Sequence, residues 1–150
     1  MNLKENELVL VSACLAGVNC KYNGKNNLNP EILKLVEEGR AILVCPEQLG
    51  GLSTPRNPSE IKNDQVIMND GTNVTCEYLK GAEETLRLAK IYNINKAILK
   101  AKSPSCGNIY IYDGTFSNTL IYGEGITTKL LRENGIEVIN EEEYIKLIKK

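Results

Sequence analysis

Short apolar runs alternate along the chain with segments in which apolar residues recur at helical spacing. The runs LVLVSA at residues 8–13 and AILV at residues 41–44 contain β-branched side chains without a polar alternation, which is typical of strands buried on both faces. Two more strands are predicted at residues 97–99 and 136–139. Helices are predicted between these strands and after the last one, because apolar positions there follow the helical repeat.

Capping residues indicate where several helices begin. Asn29 is a favourable cap followed by Pro30 at the first helical position. Asn140 is predicted to cap the terminal helix, with Glu143 placed three residues later for a capping box. The helix predicted over residues 75–92 carries on its apolar face, in chain order, Cys76, Leu79, Ala82, Leu86 and Ala89.

This alternation predicts an α/β fold. We expect a single three-layer Rossmann-like domain over residues 1–150, with a mainly parallel sheet of about four strands. A small hairpin is expected as an excursion from it, with Val66–Met68 as a strand and Asn69-Asp70-Gly71 as its turn. Right-handed crossovers place the carboxyl ends of parallel strands at one edge of the sheet, where ligands of such folds bind.

Three of the five cysteines come directly after predicted strands or in the turns that follow them. Cys14, Cys45 and Cys106 are far apart in sequence, yet the topology brings them to the same edge of the sheet. Cys76 is expected to be a buried structural residue on its helix. For Cys20 three interpretations remain open: a further metal ligand, a redox partner for Cys14, or a packing residue.

The amino-acid composition limits which catalytic groups, metal ligands and partners the chain can have. The chain has no histidine, which removes His-based triads and His metal ligands. The odd number of cysteines argues against a closed disulfide framework, and we expect a protein of the reducing cytoplasm. Eighteen basic and nineteen acidic residues nearly cancel, so no large nucleic acid is expected as a partner. No segment is apolar enough for a membrane span, and VSAC at 11–14 lacks the long apolar run of a signal peptide.

Convergent thiolates without histidine leave three classes of protein open. A zinc-binding structural or interaction module would need Cys20 as a fourth ligand beside Cys14, Cys45 and Cys106. An iron–sulfur cluster held by three cysteines would keep one iron open for a substrate. A thiol redox or sulfur-carrier protein would use Cys14 and Cys20 as a reversible pair.

Several motifs together resemble the thiouracil desulfurase family, formerly catalogued as a domain of unknown function. The similarity runs from about residue 11 to 141, and the combination of CPE with SPSCG is specific. The segments that carry the resemblance are VSACLAGVNCKYNG, VCPEQLGGLSTPRNPSEI, GTNVT, LKAKSPSCG with IYDGTF, and GEGITTKLLRENGIEV. The sequence departs from the usual family pattern at Ala16, Lys21, Asn23 and Asn73, which bears on pocket polarity and substrate choice.

The resemblance implies a specific site and reaction. Cys14, Cys45 and Cys106 match the cysteines that hold a [4Fe-4S] cluster in the family, and Glu47 and Ser103 match its catalytic positions. The implied reaction is desulfuration of a small thiolated nucleobase such as thiouracil, or of a related thiocarbonyl compound, in which water replaces sulfur without redox change. The implied role of Glu47 is that of a general base, and Ser103 would orient the water or hydrogen-bond the substrate.

Overall fold

The computed structural model describes residues 1–149 and has an α/β architecture. The elements in chain order are β1 (Val9–Ser12), a 3₁₀ turn (Ala13–Ala16), α1 (Pro30–Glu37), β2 (Ala41–Val44), α2 (Pro46–Leu49), β3 (Ser59–Lys62), β4 (Gln65–Met68), α3 (Thr75–Ile91), β5 (Lys96–Leu99), β6 (Tyr110–Tyr112), β7 (Leu120–Tyr122), α4 (Ile126–Glu133), β8 (Glu137–Asn140) and α5 (Glu141–Ile148). The four predicted strands of the main sheet are therefore all present, within a residue or two of their expected bounds.

The main sheet is parallel throughout and has the strand order β2-β1-β5-β8. The chain passes from β1 to β2 on one side and later returns to place β5 on the other side of β1. The strand order therefore reverses between β1 and β5, which is where open α/β sheets bind ligands. The prediction of a mainly parallel four-stranded sheet is confirmed.

Helices cover both faces of this sheet, which confirms the three layers. Along β1, Leu10 packs on one side with residues of α3 and α4, including Ala89 and Leu131. Its neighbours Val9 and Val11 pack on the opposite side with residues of α1 and α5. Because both faces are buried, the strand reads as a continuous apolar run.

The predicted helix caps are confirmed. The Asn29 side chain accepts a hydrogen bond from the Glu31 amide at 3.0 Å. At the start of α5, Asn140 Oδ1 accepts from the Glu143 amide at 2.9 Å, and Glu143 Oε1 accepts from the Asn140 amide at 3.0 Å. This is the reciprocal capping box that the sequence predicts. No helix within residues 1–149 is long and apolar enough to cross a membrane.

The hairpin excursion exists, but its principal pairing differs from the expectation. The strand at Val66–Met68 pairs with the preceding β3 through a turn at Asn63 and Asp64, both with positive φ. The expected turn at residues 69–71 leads only to a single bridge between Ile67 and Asn73. Both turns contain Asn and Asp, which tolerate left-handed conformations, so turn composition does not decide between them. The strands around the earlier turn pair over four residues each, whereas the segments around the later turn share a single bridge.

A second hairpin, β6-β7, was not predicted. Its strands are only three residues long, and all of β7 is exposed, so the sequence carries no burial pattern there. Tyr110 and Tyr122 stack across it with ring centroids 5.0 Å apart.

The prediction that Cys76 is buried is wrong, because the thiol lies on the exposed side of α3. The buried face of this helix is formed by Tyr78, Gly81, Ala82, Thr85 and Ala89. A step of two residues turns an α-helix by about 200°, so Cys76 lies opposite Tyr78. The apolar residues Cys76 and Leu79 therefore do not mark the buried face of α3. On that face, small and polar residues make the close contacts.

Candidate active site

A cavity of about 460 Å³ lies at the carboxyl edge of the sheet, beside the point where the strand order reverses. Its walls come mainly from the segments that follow β1, β2 and β5. All five residues assigned to the site from the sequence line it: Cys14, Cys45, Glu47, Ser103 and Cys106. The topology therefore brings together side chains that are up to 92 positions apart.

Each cysteine is positioned by the element that follows its strand. Cys14 lies in the 3₁₀ turn after β1, and Cys45 is the residue before α2. Cys106 lies in the loop after β5, where the Lys100 amide donates to Ser12 Oγ at 2.9 Å and fixes the loop to β1. The start of α4 closes this loop from the other side, because a Cβ on Gly125 would lie only 2.5 Å from the Ser105 carbonyl carbon.

The thiols have different proton affinities. Burial raises the pKa of Cys106 to about 12 and also raises the pKa of Cys14. The neighbouring Cys20 thiol and the Gln48 amide lower the pKa of Cys45 to about 7, and the Cys45 thiol lies 3.8 Å from the Cys20 carbonyl oxygen. Cys20 itself is buried and lines the same cavity, and its interaction with Cys45 and its burial raise its pKa. Of the four cavity thiols, Cys45 is therefore the one most readily ionised near neutral pH.

The donor set fits a soft metal group better than a hard cation. Cys14, Cys45 and Cys106 supply three sulfur donors to one cavity, and thiolates select iron–sulfur clusters, zinc and copper. No three Cys, Asp or Glu side chains within residues 1–149 stand close enough to share one metal ion. In a [4Fe-4S] cluster each thiolate binds its own iron, so three cluster ligands do not need to meet at one ion.

Glu47, on the first turn of α2, is held by a buried arginine. Arg56 Nε lies 3.0 Å from Glu47 Oε1, and the two side chains are only 5% and 13% exposed. The other guanidinium nitrogens donate to the Cys20 carbonyl at 2.9 Å and to Thr54 Oγ1 at 2.9 Å. Arg56 thus both binds an anion, the carboxylate of Glu47, and ties together the loop in which it lies.

Ser105, which the sequence reasoning did not single out, links Glu47 to Ser103. Its hydroxyl donates to Glu47 Oε2 at 2.9 Å, and Ser103 Oγ lies 2.9 Å from Ser105 Oγ. Ser105 Oγ also lies 3.5 Å from Cys106 Sγ, but its single hydroxyl hydrogen goes to the closer and charged Glu47 oxygen. Ser103 is therefore the donor to Ser105. Ser103 Oγ in turn accepts from the amides of Ser105 and Cys106, both at 3.1 Å. The result is a directed chain from Ser103 through Ser105 to Glu47.

The α2 helix, which carries Glu47 and follows Cys45, lies backbone to backbone against α3. A Cβ on Gly81 would lie 1.9 Å from the Pro46 carbonyl oxygen, and one on Gly50 would lie 1.9 Å from the Glu77 carbonyl oxygen. Two glycines therefore allow the close approach that sets the position of α2.

Comparisons with known proteins found a family model, a curated relative and a solved structure that match most of the chain. A family model described as 2-thiouracil desulfurase matches residues 9–143. A Bacillus subtilis (strain 168) protein named "Uncharacterized protein YbbK" is 44% identical over 146 residues, which cover 91% of this chain and 97% of the relative. A solved structure named "[4Fe-4S]-dependent thiouracil desulfidase TudS" has a TM-score of 0.90 and 42% identity, and the match covers 95% of each chain.

Proposed function

Because the chain belongs to the 2-thiouracil desulfurase family, we propose that it removes the sulfur of a thiolated nucleobase such as thiouracil by [4Fe-4S]-dependent hydrolysis. The observation that carries the proposal is the shared cavity, in which three thiols face the same space as a carboxylate and a hydroxyl. The substrate is a small thiolated nucleobase or a related thiocarbonyl compound. The reaction converts C=S and water into C=O and hydrogen sulfide, and no electrons are transferred.

Cys14, Cys45 and Cys106 would hold the cluster. Three protein ligands leave one of its four irons open, and when bound the cluster supplies this iron as a Lewis acid toward the thiocarbonyl sulfur. Cys45 suits the role of a ligand, because its pKa of about 7 lies near neutral pH and ligation requires the thiolate. Cys20 would support Cys45 through the contact between the two residues rather than act as a fourth ligand.

Glu47 is the general base of the proposed reaction. It takes a proton from the water that replaces sulfur and returns a proton to a ring nitrogen of the product. Arg56 occupies Oε1, so the proton is expected at Oε2, the oxygen that faces Ser105. The buried guanidinium also keeps the carboxylate in a single orientation, which is the requirement for proton transfer in a fixed geometry.

Ser103 orients the attacking water or the substrate. Its oxygen is held by two backbone amides, and its hydrogen points to Ser105. The two amides and Ser105 use the whole hydrogen-bonding capacity of the Ser103 hydroxyl. Ser103 therefore contacts the water or substrate by turning its hydrogen away from Ser105, and the proton of the water passes directly to Glu47 Oε2. Ser105 acts through its neighbours and is a positioning residue in this scheme.

The substitution Glu47→Gln tests the proposed role of this carboxylate. The variant keeps the size of the side chain but removes the base, so desulfuration of thiouracil should fall by about 10²–10⁴-fold. Iron and sulfide content and the visible absorption of protein reconstituted without oxygen should stay as in the wild type. Glu83→Gln is the matched control, since Glu83 is exposed on α3. Undiminished turnover in the Glu47 variant would rule out the proposed base.

Metal analysis separates the proposal from the zinc alternative. Wild type and Cys20→Ser should both bind about four irons and four sulfides per chain, because Cys20 is not a ligand in the proposal. Zinc bound in place of iron, and lost with the Cys20 thiol, would instead identify a closed site of four thiolates.

A further inference from the structure

The loop between β6 and β7 is fixed to the mouth of the cavity by one carboxylate. Glu60, on β3, accepts hydrogen bonds at the same oxygen, Oε1, from the Gly114 amide at 3.0 Å and from the Phe116 amide at 3.1 Å. A Cβ on Gly114 would lie 2.7 Å from Lys62 Cβ, so the loop packs directly on β3. The loop therefore has a defined position relative to the cavity.

Phe116 has an unusual conformation in this loop. Its φ is +56°, in the left-handed region that bulky residues rarely adopt. Such a conformation persists where the surroundings impose it, and here Glu60 holds the amide of this residue. The backbone is thus fixed in a way that places the phenyl ring in the cavity lining.

The ring of Phe116 is apolar but is not part of the protein core. It is 39% exposed, and it is the single phenylalanine of the chain. A phenyl ring has no hydrogen-bonding group, so what it offers to a cavity is an apolar face and edge. Aromatic faces bind the π-faces of nucleobases regardless of the base, whereas aliphatic side chains do so less well.

We propose that Phe116 is a substrate-binding residue on which the planar ring of the thiolated base stacks, and that Glu60 is the positioning residue that presents it. This inference rests on the proposed function for the identity of the ligand. It assigns a role to the DGTF segment at residues 113–116, which the catalytic scheme leaves unused.

A tryptophan reporter tests the stacking without relying on turnover. The chain contains no tryptophan, so Phe116→Trp introduces a single indole at the proposed contact. Addition of uracil, the product of the proposed reaction, to the cluster-loaded variant should quench the indole fluorescence in a saturable way. Tyr122→Trp is the control on the same hairpin, because Tyr122 is 81% exposed and is outside the cavity lining formed by residues 1–149. Equal responses of the two variants would overturn the proposal.

Steady-state kinetics provide a second test of the stacking role of Phe116, which does not depend on the tryptophan variant. Phe116→Leu should raise KM for thiouracil about tenfold with kcat nearly unchanged, which corresponds to about 1.4 kcal/mol of binding free energy. Glu60→Ala, which releases the loop, should raise KM in the same direction. Glu60→Gln should restore most of the affinity, since its amide oxygen still accepts hydrogen bonds. An unchanged KM in Phe116→Leu would contradict the proposal.

The two proposals fail in different ways. If the wild type does not desulfurate thiouracil, the proposed function is wrong, and the fluorescence titration with uracil still decides whether Phe116 binds a nucleobase. If the wild type is active but neither the fluorescence nor KM responds to substitution of Phe116, the stacking role is wrong and the reaction stands.

Discussion

Gly81→Ala should destabilise the protein, although helix propensity alone predicts the opposite. Gly81 lies within α3, and alanine in place of glycine inside a helix contributes about 1 kcal/mol of stability. The new methyl group, however, would lie 1.9 Å from the Pro46 carbonyl oxygen, where ordinary contact begins at about 3.4 Å. The α2 helix must therefore move by about 1.5 Å or α3 must bend.

The change in the free energy of unfolding of Gly81→Ala follows from these two opposing effects. Overpacking in a well-packed region typically costs about 1–3 kcal/mol, and the upper end applies here because the obstacle is backbone rather than a flexible side chain. After the gain in propensity, the free energy of unfolding should fall by about 2 kcal/mol. For a chain of this size that corresponds to a decrease in Tm of about 4–8 °C. A displacement of α2 by more than 1 Å also moves Glu47, so turnover should fall by about 10²-fold.

Thermal unfolding of the variant, followed by circular dichroism, tests the stability, and thiouracil turnover at a temperature well below Tm tests the site. Lys80→Ala is the matched control, because Lys80 is exposed on the same helix and its substitution introduces no clash. A Tm for Gly81→Ala equal to or above that of the wild type would refute the reasoning. So would a lowered Tm combined with full turnover, which would separate the packing of α2 from the position of Glu47.

Two further predictions concern ionisation and capping. In the cluster-free, reduced chain, alkylation of Cys45 by iodoacetamide should be half-maximal near pH 7 and decline below it, because the thiolate is the reacting form. In Cys20→Ala, mass spectrometry of the labelled peptide should show this midpoint moved upward, and an unchanged midpoint would show that the Cys20 thiol does not lower the pKa of Cys45. Asn140→Ala removes the cap of α5 and leaves Oδ1 of buried Asn108 without the donor that lies 2.9 Å from it, so unfolding should require about 2 kcal/mol less. Calorimetry should show Tm about 4–8 °C lower, whereas Glu142→Ala, exposed in the same helix turn, should unfold like the wild type.

Sequence patterns within a few residues were sufficient to predict the main sheet and the starts of two helices. Buried runs predicted the four parallel strands, and the caps at Asn29 and Asn140 predicted two helix starts, because these signals depend on residues a few positions apart. The gathering of Cys14, Cys45 and Cys106 at one edge then followed from the parallel direction of the strands.

The same short-range patterns could not predict contacts between segments that are distant in sequence. Nothing near Ser105 in sequence identifies Glu47, 58 positions away, as its hydrogen-bond partner. Likewise, nothing near Gly50 or Gly81 in sequence indicates that these two glycines lie where α2 and α3 come into close contact. Cys76 shows the error that results when apolar content is taken for burial, because α3 turns its small and polar residues toward α2 and the sheet.

The strand order also has a consequence for biosynthesis. The two inner strands of the sheet, β1 and β5, are separated by more than 80 residues, and each is followed by one of the cavity cysteines. A nascent chain that has emerged only as far as α2 carries Cys14 and Cys45 but lacks the wall that contains Ser103 and Cys106. Bringing β5 beside β1 closes a long loop, so this step is expected late in folding. The lining of the cavity is therefore complete only when the chain has been synthesised beyond Asn118, and any group destined for the cavity must be inserted after translation has passed that point.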